Sequence, residues 1–160
     1  MKDLLLIRSV GIQQLDRVLP AVRAAFPEHR GHLLTHPHAQ ALVAHFQGIH
    51  AVHPYPRPGP FSFWHARGIP AQAFDVVLVP VSNTSGAGFT NVLLFSLAVK
   101  GRKRVLCNLA LEFQPLSRAK ILRRVGRELF ISGVARVVSW PIRVLIRLFL
   151  PWMLRRLERT

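Results

Sequence analysis

The apolar positions at the start of the chain alternate between continuous runs and helical spacing. Residues 4–7 form a continuous apolar run, which is typical of a strand buried on both faces of a parallel sheet. Between residues 15 and 26 the apolar side chains recur every three or four positions and stop before Pro27, which predicts an amphipathic helix. A second strand is predicted at residues 31–35. Together these segments form one βαβ unit.

The same alternation continues along the chain. A second helix is predicted over residues 36–48, where Gly48 would end it. Its apolar face would consist of Ala41, Leu42, His45 and Phe46. Residues 50–53 predict a short third strand. Residues 54–60 contain four prolines and predict a loop.

The strongest strand pattern lies at residues 74–81. A polar loop follows at residues 82–88, then a helix at residues 89–99 and a fifth strand at residues 104–107. Strands that alternate with helices at this spacing predict right-handed βαβ units. We therefore expect an α/β fold with a Rossmann-like parallel sheet of about five strands and flanking helices, occupying residues 1–110.

Charge distinguishes the remainder of the chain. Residues 1–100 carry eight Lys and Arg against four Asp and Glu, whereas residues 101–160 carry fourteen against three. An imbalance confined to one end indicates an acidic partner for that end, either nucleic acid or anionic lipid. Half of the residues are apolar, which favours lipid. We expect residues 111–160 to form a basic amphipathic membrane-associating helical region.

Three arginines in this region share one stripe of a helix. Arg136, Arg143 and Arg147 are spaced by seven and four residues, which places them within about 40° of one another on an α-helix. A helix that spans a membrane needs roughly twenty apolar residues, and these arginines interrupt the apolar run. A helix that lies in the membrane interface is therefore favoured. A helix packed on a domain or dimer partner, and a true span, are the alternatives. The predicted membrane-binding residues are Arg123, Arg124, Arg127, Arg136, Trp140, Arg143, Arg147, Trp152, Arg155 and Arg156.

The polar loop at residues 82–88 is the best candidate for a ligand site. It follows a parallel strand and precedes a helix, where open α/β sheets bind their ligands and where the helix dipole favours an anion. The loop has neither the Gly-Lys-Ser/Thr of a P-loop nor a dinucleotide-binding fingerprint. The alternative to a ligand site is a loop that only caps the following helix. The ligand-binding candidates are Ser82, Asn83, Thr84, Ser85, Gly86 and Gly88, together with Gln14.

The sequence predicts no metal and no cofactor. All eight histidines lie between His29 and His65, but they fall on different predicted elements in a segment without Cys. Scattered surface and loop histidines are therefore favoured over a transition-metal site. The single Cys107 excludes an internal disulfide. Asp75 opens a strand at the amino end of the sheet, away from the expected cleft, and no catalytic residue is assigned.

Three stretches within residues 3–107 resemble a known family. They are Leu5-Leu-Ile-Arg8 with Val18-Leu-Pro20-Ala-Val-Arg23-Ala-Ala-Phe26-Pro27; His32-Leu-Leu-Thr35-His-Pro37; and Phe74-Asp75-Val-Val-Leu-Val with Leu93-Leu-Phe-Ser-Leu and Gly101-Arg102-Lys103-Arg104-Val105. In this order they resemble the N-terminal Rossmann domain of the heptosyltransferase-like glycosyltransferases, the lipopolysaccharide core heptosyltransferase family. The resemblance implies transfer of a sugar from a nucleotide donor to a lipid-linked acceptor, with this chain as the acceptor-side fold.

Two departures from the family pattern bear on activity. Gln13 and Gln14 stand where the resemblance implies a Gly-Asp pair with the catalytic base, and a glutamine cannot accept the proton. Asp16 lies two residues further on. The family's second, donor-binding domain is expected to be missing from this chain. Hexosyl or heptosyl transfer would then need a donor site from elsewhere.

Two functions follow as hypotheses. The first is a glycosyltransferase-like protein of cell-envelope glycan and lipopolysaccharide synthesis, an acceptor-side half docked peripherally on the cytoplasmic face of the inner membrane. The second is a non-catalytic membrane-surface adaptor that keeps the fold without the reaction. The expected partners are an anionic membrane surface, a lipid-linked or sugar acceptor, and a second donor-binding chain or homodimer partner. Nucleic acid is disfavoured, because the basic region has a wide apolar face and no recognised binding motif.

Overall fold

The computed structural model describes residues 2–43, 46–66 and 69–131. The strands of this part are β1 (Lys2–Ile7), β2 (His29–Thr35), β3 (Ile49–Pro54), β4 (Phe74–Pro80), β5 (Gly101–Cys107) and β6 (Phe113–Pro115). They form one sheet in the order β3-β2-β1-β4-β5-β6. The first five strands run parallel, and β6 pairs antiparallel with β5. The predicted α/β fold with a mostly parallel sheet is confirmed.

Helices connect the parallel strands. They are α1 (Ile12–Ala25), α2 (Gln40–Val43) and α3 (Thr90–Ala98), and residues 118–131 form a further helix, α4, after β6. The buried side chains of α1 are Leu15, Val18, Leu19 and Val22. Their spacing of three and four residues is the pattern from which this helix was predicted.

The helix predicted over residues 36–48 is only partly formed. A 3-10 turn at Pro37–Ala39 precedes α2. Leu42, predicted to be on the apolar face, is 54% exposed, whereas the neighbouring Val43 is buried. The buried residues of this segment are Ala39, Val43 and Phe46, whose spacing of four and three residues is that of a helical face other than the predicted one. His45 lies outside the described residues.

The two faces of the sheet are covered by different elements. Crossovers of parallel strands are right-handed, which places α1 and α2 on one face and α3 on the other. On the α1 face, Leu4, Leu6, Leu33, Val76 and Leu78 form a buried core with the apolar side of α1. On the α3 face, the rings of Tyr55, Phe61 and Phe95 pack with centroids 4.8 to 5.5 Å apart. The sheet is therefore buried on both sides, as its continuous apolar runs require.

The edge strand β6 was not predicted. It has only three residues and ends in Pro115, which is tolerated on an edge strand because no N–H is needed on its outer side. The sheet thus extends beyond residue 110, and the first compact unit of the chain is Met1–Leu122. A second unit begins at Arg123 and is described to residue 131.

Candidate functional site

The strand order creates a topological switch point between β1 and β4. The chain leaves β1 towards β2 on one side and leaves β4 towards β5 on the other. The loops at residues 8–11 and 81–89 therefore diverge from the carboxyl ends of two adjacent strands. Open α/β sheets bind their ligands in the crevice at this position. The predicted ligand loop is one wall of it.

On the α3 side the crevice contains a hollow of about 330 Å³, called here the α3 hollow. Its polar lining includes Arg8, Ser9, His36 and Asn91, and Phe61 and Phe89 contribute apolar surface. The Nε atom of Arg8 is buried and has no hydrogen-bond partner among the described residues. Burial lowers the pKa of Arg8, but a guanidinium remains charged at neutral pH. No ion pair joins Arg8 to another described residue, so its positive charge is available in the wall of the hollow.

The first turn of α3 also lines the α3 hollow. Its N-cap residue, Phe89, makes no side-chain capping bond. The partial positive charge of the helix N-terminus thus adds to the charge of Arg8. His36 is held in place because its Nε2 donates a hydrogen bond of 2.7 Å to the Gly59 carbonyl. The α3 hollow is suited to an anionic group.

Hydrogen bonds within the loop stabilise the predicted ligand loop. Asn83 Oδ1 accepts a bond from the Gly86 N–H, and Asn83 Nδ2 donates to the Ala87 carbonyl at 2.8 Å. Gly86 and Gly88 have φ values of 74° and 78°, in the region where glycine is favoured. Gly88 lines the α3 hollow. The remaining predicted loop residues, Ser82, Thr84 and Ser85, are exposed.

Gln14 lies on the α1 side of the crevice. Its Nε2 donates a 2.9 Å hydrogen bond to the Val81 carbonyl, which ties α1 to the end of β4. A second hollow of about 330 Å³ is lined by Gln13, Gln14, Arg17, Leu109 and Leu111. Asp16 is exposed on the same helix. The amide of Gln14 therefore has a structural partner and does not depend on a ligand.

The chemistry available in these hollows is limited. No Asp or Glu belongs to the described lining of either one. Cys107 ends β5 near this edge, but burial raises the pKa of its thiol to about 11. A thiol with this pKa is protonated at neutral pH and is a poor nucleophile.

A second polar cluster lies towards the amino end of the sheet, and sequence reasoning missed it. The rings of His32 and His53 stack with centroids 5.3 Å apart, and His32 Nδ1 lies 3.1 Å from His53 Nε2. His32 Nε2 lies 3.5 Å from Asp3 Oδ1, which also accepts a 2.9 Å bond from Arg30 Nε. Among the described residues, no three His, Cys, Asp or Glu side chains are placed to hold a metal ion.

This histidine pair predicts that stability rises with pH. Burial lowers the pKa of His32, against the opposing effect of Asp3, and burial and then His32 lower the pKa of His53. The folded state therefore binds fewer protons than the unfolded state. Stability is fullest above the ordinary histidine pKa of 6.5 and is lost as the pH falls below it.

We expect a slope of up to about 1.4 kcal/mol per pH unit for each histidine. Urea unfolding at a series of pH values between about 5 and 7.5 measures it. Replacing both residues by glutamine should flatten the profile, whereas His65→Gln on an exposed residue should leave it unchanged. An intact protein whose stability is constant over this range would contradict the prediction.

Part of the predicted membrane-binding region is described. Arg123 and Arg127 are exposed and one helical turn apart, and Arg124 is half-buried. The side chains at residues 129–131 are 58 to 72% exposed and apolar. In the described part of the chain, no helix has the length and apolar character to cross a bilayer. Outside the described residues lie Arg136, Trp140, Arg143, Arg147, Trp152, Arg155 and Arg156.

Comparison with known proteins found no family model, no curated protein and no solved structure that matches this chain. The chemistry of the site is therefore inferred from its own residues. They are a half-buried guanidinium without a hydrogen-bond partner at its Nε, an uncapped helix N-terminus and an imidazole, grouped around one hollow at the switch point. This arrangement is typical of a site that binds an anion.

Proposed function

We propose that this chain is a glycosyltransferase-like protein of cell-envelope glycan synthesis, and that its crevice binds the phosphate-bearing part of a sugar acceptor. The observation that carries the ligand class is the half-buried guanidinium of Arg8 in the wall of the α3 hollow, for which no ion pair with another described residue is found. A partly desolvated guanidinium without a carboxylate partner favours the binding of an anion. The sugar is proposed from the resemblance of residues 3–107 to the glycosyltransferase family.

Recognition would combine charge with an apolar surface. Arg8 can donate two parallel N–H bonds to a phosphate, a geometry that lysine does not offer. The N-terminus of α3 adds backbone donors. The exposed amide of Asn91 is placed to bind sugar hydroxyls, while Phe61 and Phe89 give the ring an apolar surface. We propose that a second chain or homodimer partner supplies the nucleotide-sugar site.

A non-catalytic adaptor is the second candidate. The observation that favours it is that the described lining of both hollows has no carboxylate, while the Gln14 amide is bonded to the Val81 carbonyl. Such a protein would bind the anionic sugar without transferring it. Incubation with nucleotide sugars and a glycan acceptor separates the two candidates, because a transferase releases nucleoside diphosphate and the adaptor releases none.

We propose that either protein works at the cytoplasmic face of the inner membrane as a peripheral component. Exposed Arg123 and Arg127, followed by exposed apolar side chains at residues 129–131, support this location. Basic residues near an anionic leaflet each add attraction, and apolar side chains insert into the interface.

The ligand class is tested by titration calorimetry with a hexose phosphate. We expect saturable binding that Arg8→Gln weakens by about ten- to hundredfold, since hydrogen bonds to a charged group contribute about 1.5–3 kcal/mol. Arg102→Gln is the matched control, because Arg102 is an exposed arginine at the amino end of β5, remote from the crevice. A neutral hexose should bind more weakly than its phosphate. Equal weakening by both variants, or no heat with the hexose phosphate, would refute the proposed ligand class.

A further inference from the structure

Two neighbouring aromatic side chains project from the loop that follows β3. Phe63 is 41% exposed and Trp64 is 85% exposed. They lie on a 3-10 turn, Phe63–His65, and their rings contact each other edge to face with centroids 5.5 Å apart. Tryptophan is highly buried on average in folded proteins, so an indole with this exposure is unusual. We call Phe63 and Trp64 the aromatic pair.

The residues just before the aromatic pair are anchored in the core. Phe61 is only 5% exposed, and its ring packs against those of Tyr55 and Phe95. The Ser62 N–H donates a 3.2 Å hydrogen bond to the Tyr55 hydroxyl, and the 3-10 turn lies against α3. The fold therefore fixes the loop at Phe61 and Ser62 and leaves the two aromatic rings after them in solvent.

The charge of the surrounding segment suits an anionic surface. Residues 29–74 contain three arginines and eight histidines but no Asp or Glu. An anionic surface therefore meets no carboxylate of this segment that would repel it. A folded protein partner would need a pocket shaped for the projecting indole, whereas the headgroup region of a bilayer accepts it without a matching shape. Tryptophan is enriched at that level because its ring is apolar and its N–H is polar.

We propose that the aromatic pair inserts into the headgroup region of an anionic bilayer and gives the first unit a membrane contact of its own. This contact rests on the peripheral membrane location proposed above and is separate from the basic segment at Arg123 and Arg127. Basic residues attract the chain to the leaflet, while the aromatic pair adds apolar insertion.

Such a contact would bring the α3 hollow close to the membrane surface. Pro60 and Phe61 line that hollow, and the three residues from Phe61 to Trp64 reach at most about 11 Å. With Trp64 at the headgroup level, this wall of the hollow lies near the level of the lipid phosphates. The arrangement favours an acceptor whose phosphate is still attached to a lipid.

The fluorescence of Trp64 tests the insertion directly. The chain has three tryptophans, so replacing Trp140 and Trp152 by phenylalanine leaves Trp64 as the only one. With vesicles of phosphatidylserine and phosphatidylcholine, we expect its emission to shift to shorter wavelength. Phospholipids brominated near the headgroup should quench it more strongly than those brominated at the ends of the acyl chains. If the chain floats with the vesicles but this emission is unchanged, the insertion is wrong and the membrane location stands; if the intact chain does not float, both are wrong.

Matched substitutions in the otherwise intact chain test the contribution to binding. Phe63→Ser with Trp64→Ser should weaken vesicle binding at least tenfold, because two large apolar side chains no longer enter the lipid. Leu42→Ser is the control, since Leu42 is 54% exposed on α2, on the opposite face of the sheet from α3, and it should bind as the intact chain does. Unchanged binding in the double variant, or equal weakening in both, would overturn the proposal. So would a Trp64 emission that responds to short single-stranded DNA and not to vesicles, since an aromatic ring on a basic surface can also stack on bases.

Discussion

Replacing Arg104 by alanine is expected to lower the free energy of unfolding by about 3–5 kcal/mol. Arg104 lies on β5 and is only 6% exposed. Its Nε donates to the Ser96 carbonyl and its Nη2 to the Val99 carbonyl, both at 2.9 Å. A third bond, from Nη1 to the Gly101 carbonyl, is 3.3 Å long. The Ser96 and Val99 carbonyls belong to the end of α3 and the residue after it, where carbonyls have no partner within the helix.

The loss is large because alanine would leave these buried acceptors unsatisfied. The guanidinium also places positive charge at the negative end of the α3 dipole. Burial, and to a smaller extent Arg118, lowers the pKa of Arg104, but an arginine remains charged under these conditions. Its removal therefore eliminates a charged cap together with its packing.

Urea denaturation of Arg104→Ala and Arg102→Ala measures the effect. Arg102 lies two residues earlier on the same strand, and its side chain is 84% exposed. A substitution at such a position is expected to change stability by no more than about 0.5 kcal/mol. If both variants lost the same stability, the loss would come from the charge of the basic segment, and the capping role of Arg104 would be wrong.

This arginine also shows what the sequence could not predict. The run Gly101-Arg102-Lys103-Arg104 indicates only a basic entry to a strand. Arg104 is buried because it pairs in register with Val77, on the face that α3 covers. Register is set by pairing between distant segments, so the burial of one member of a charged run depends on the assembled sheet.

The strands and helices could largely be predicted where the spacing of apolar residues was the only signal. The continuous apolar run at residues 4–7 predicted β1, and apolar spacing of three and four residues predicted α1. Strands were also predicted where β2, β4 and β5 lie. The failures occurred in short elements. In the segment of α2, Ala39 and Val43 are buried where the pattern favoured Leu42, and β6 has only three residues, one of them a proline, which is too short for a strand pattern.

The position of the candidate site could be predicted from the sequence, but the residues that are available to a ligand there could not. The order of strand, polar loop and helix predicts a crevice at the switch point. However, Asn83 makes its hydrogen bonds within the loop, whereas the Nε of Arg8, just after β1, has no partner in the described part of the chain. Whether a polar atom has a partner depends on all its neighbours in space. The pairing of His32 with His53 across two strands has the same origin.

The second large effect is expected at the membrane. A variant with Arg123, Arg124 and Arg127 all replaced by glutamine should bind anionic liposomes about a hundredfold more weakly than the intact chain. Each basic side chain near an anionic leaflet contributes about 1 kcal/mol, so the loss of three amounts to about 3 kcal/mol. Flotation with phosphatidylserine-containing and purely zwitterionic liposomes measures the binding.

The control removes the same charge from elsewhere. Arg17, Arg57 and Arg102 are exposed on the first unit, and replacing all three by glutamine lowers the formal charge of +15 by the same amount. If the basic segment itself binds the lipid, the control should bind almost as tightly as the intact chain. An equal loss in both variants would mean that net charge alone attracts the protein, and binding that is absent or indifferent to anionic lipid would exclude the basic segment as a membrane-binding surface.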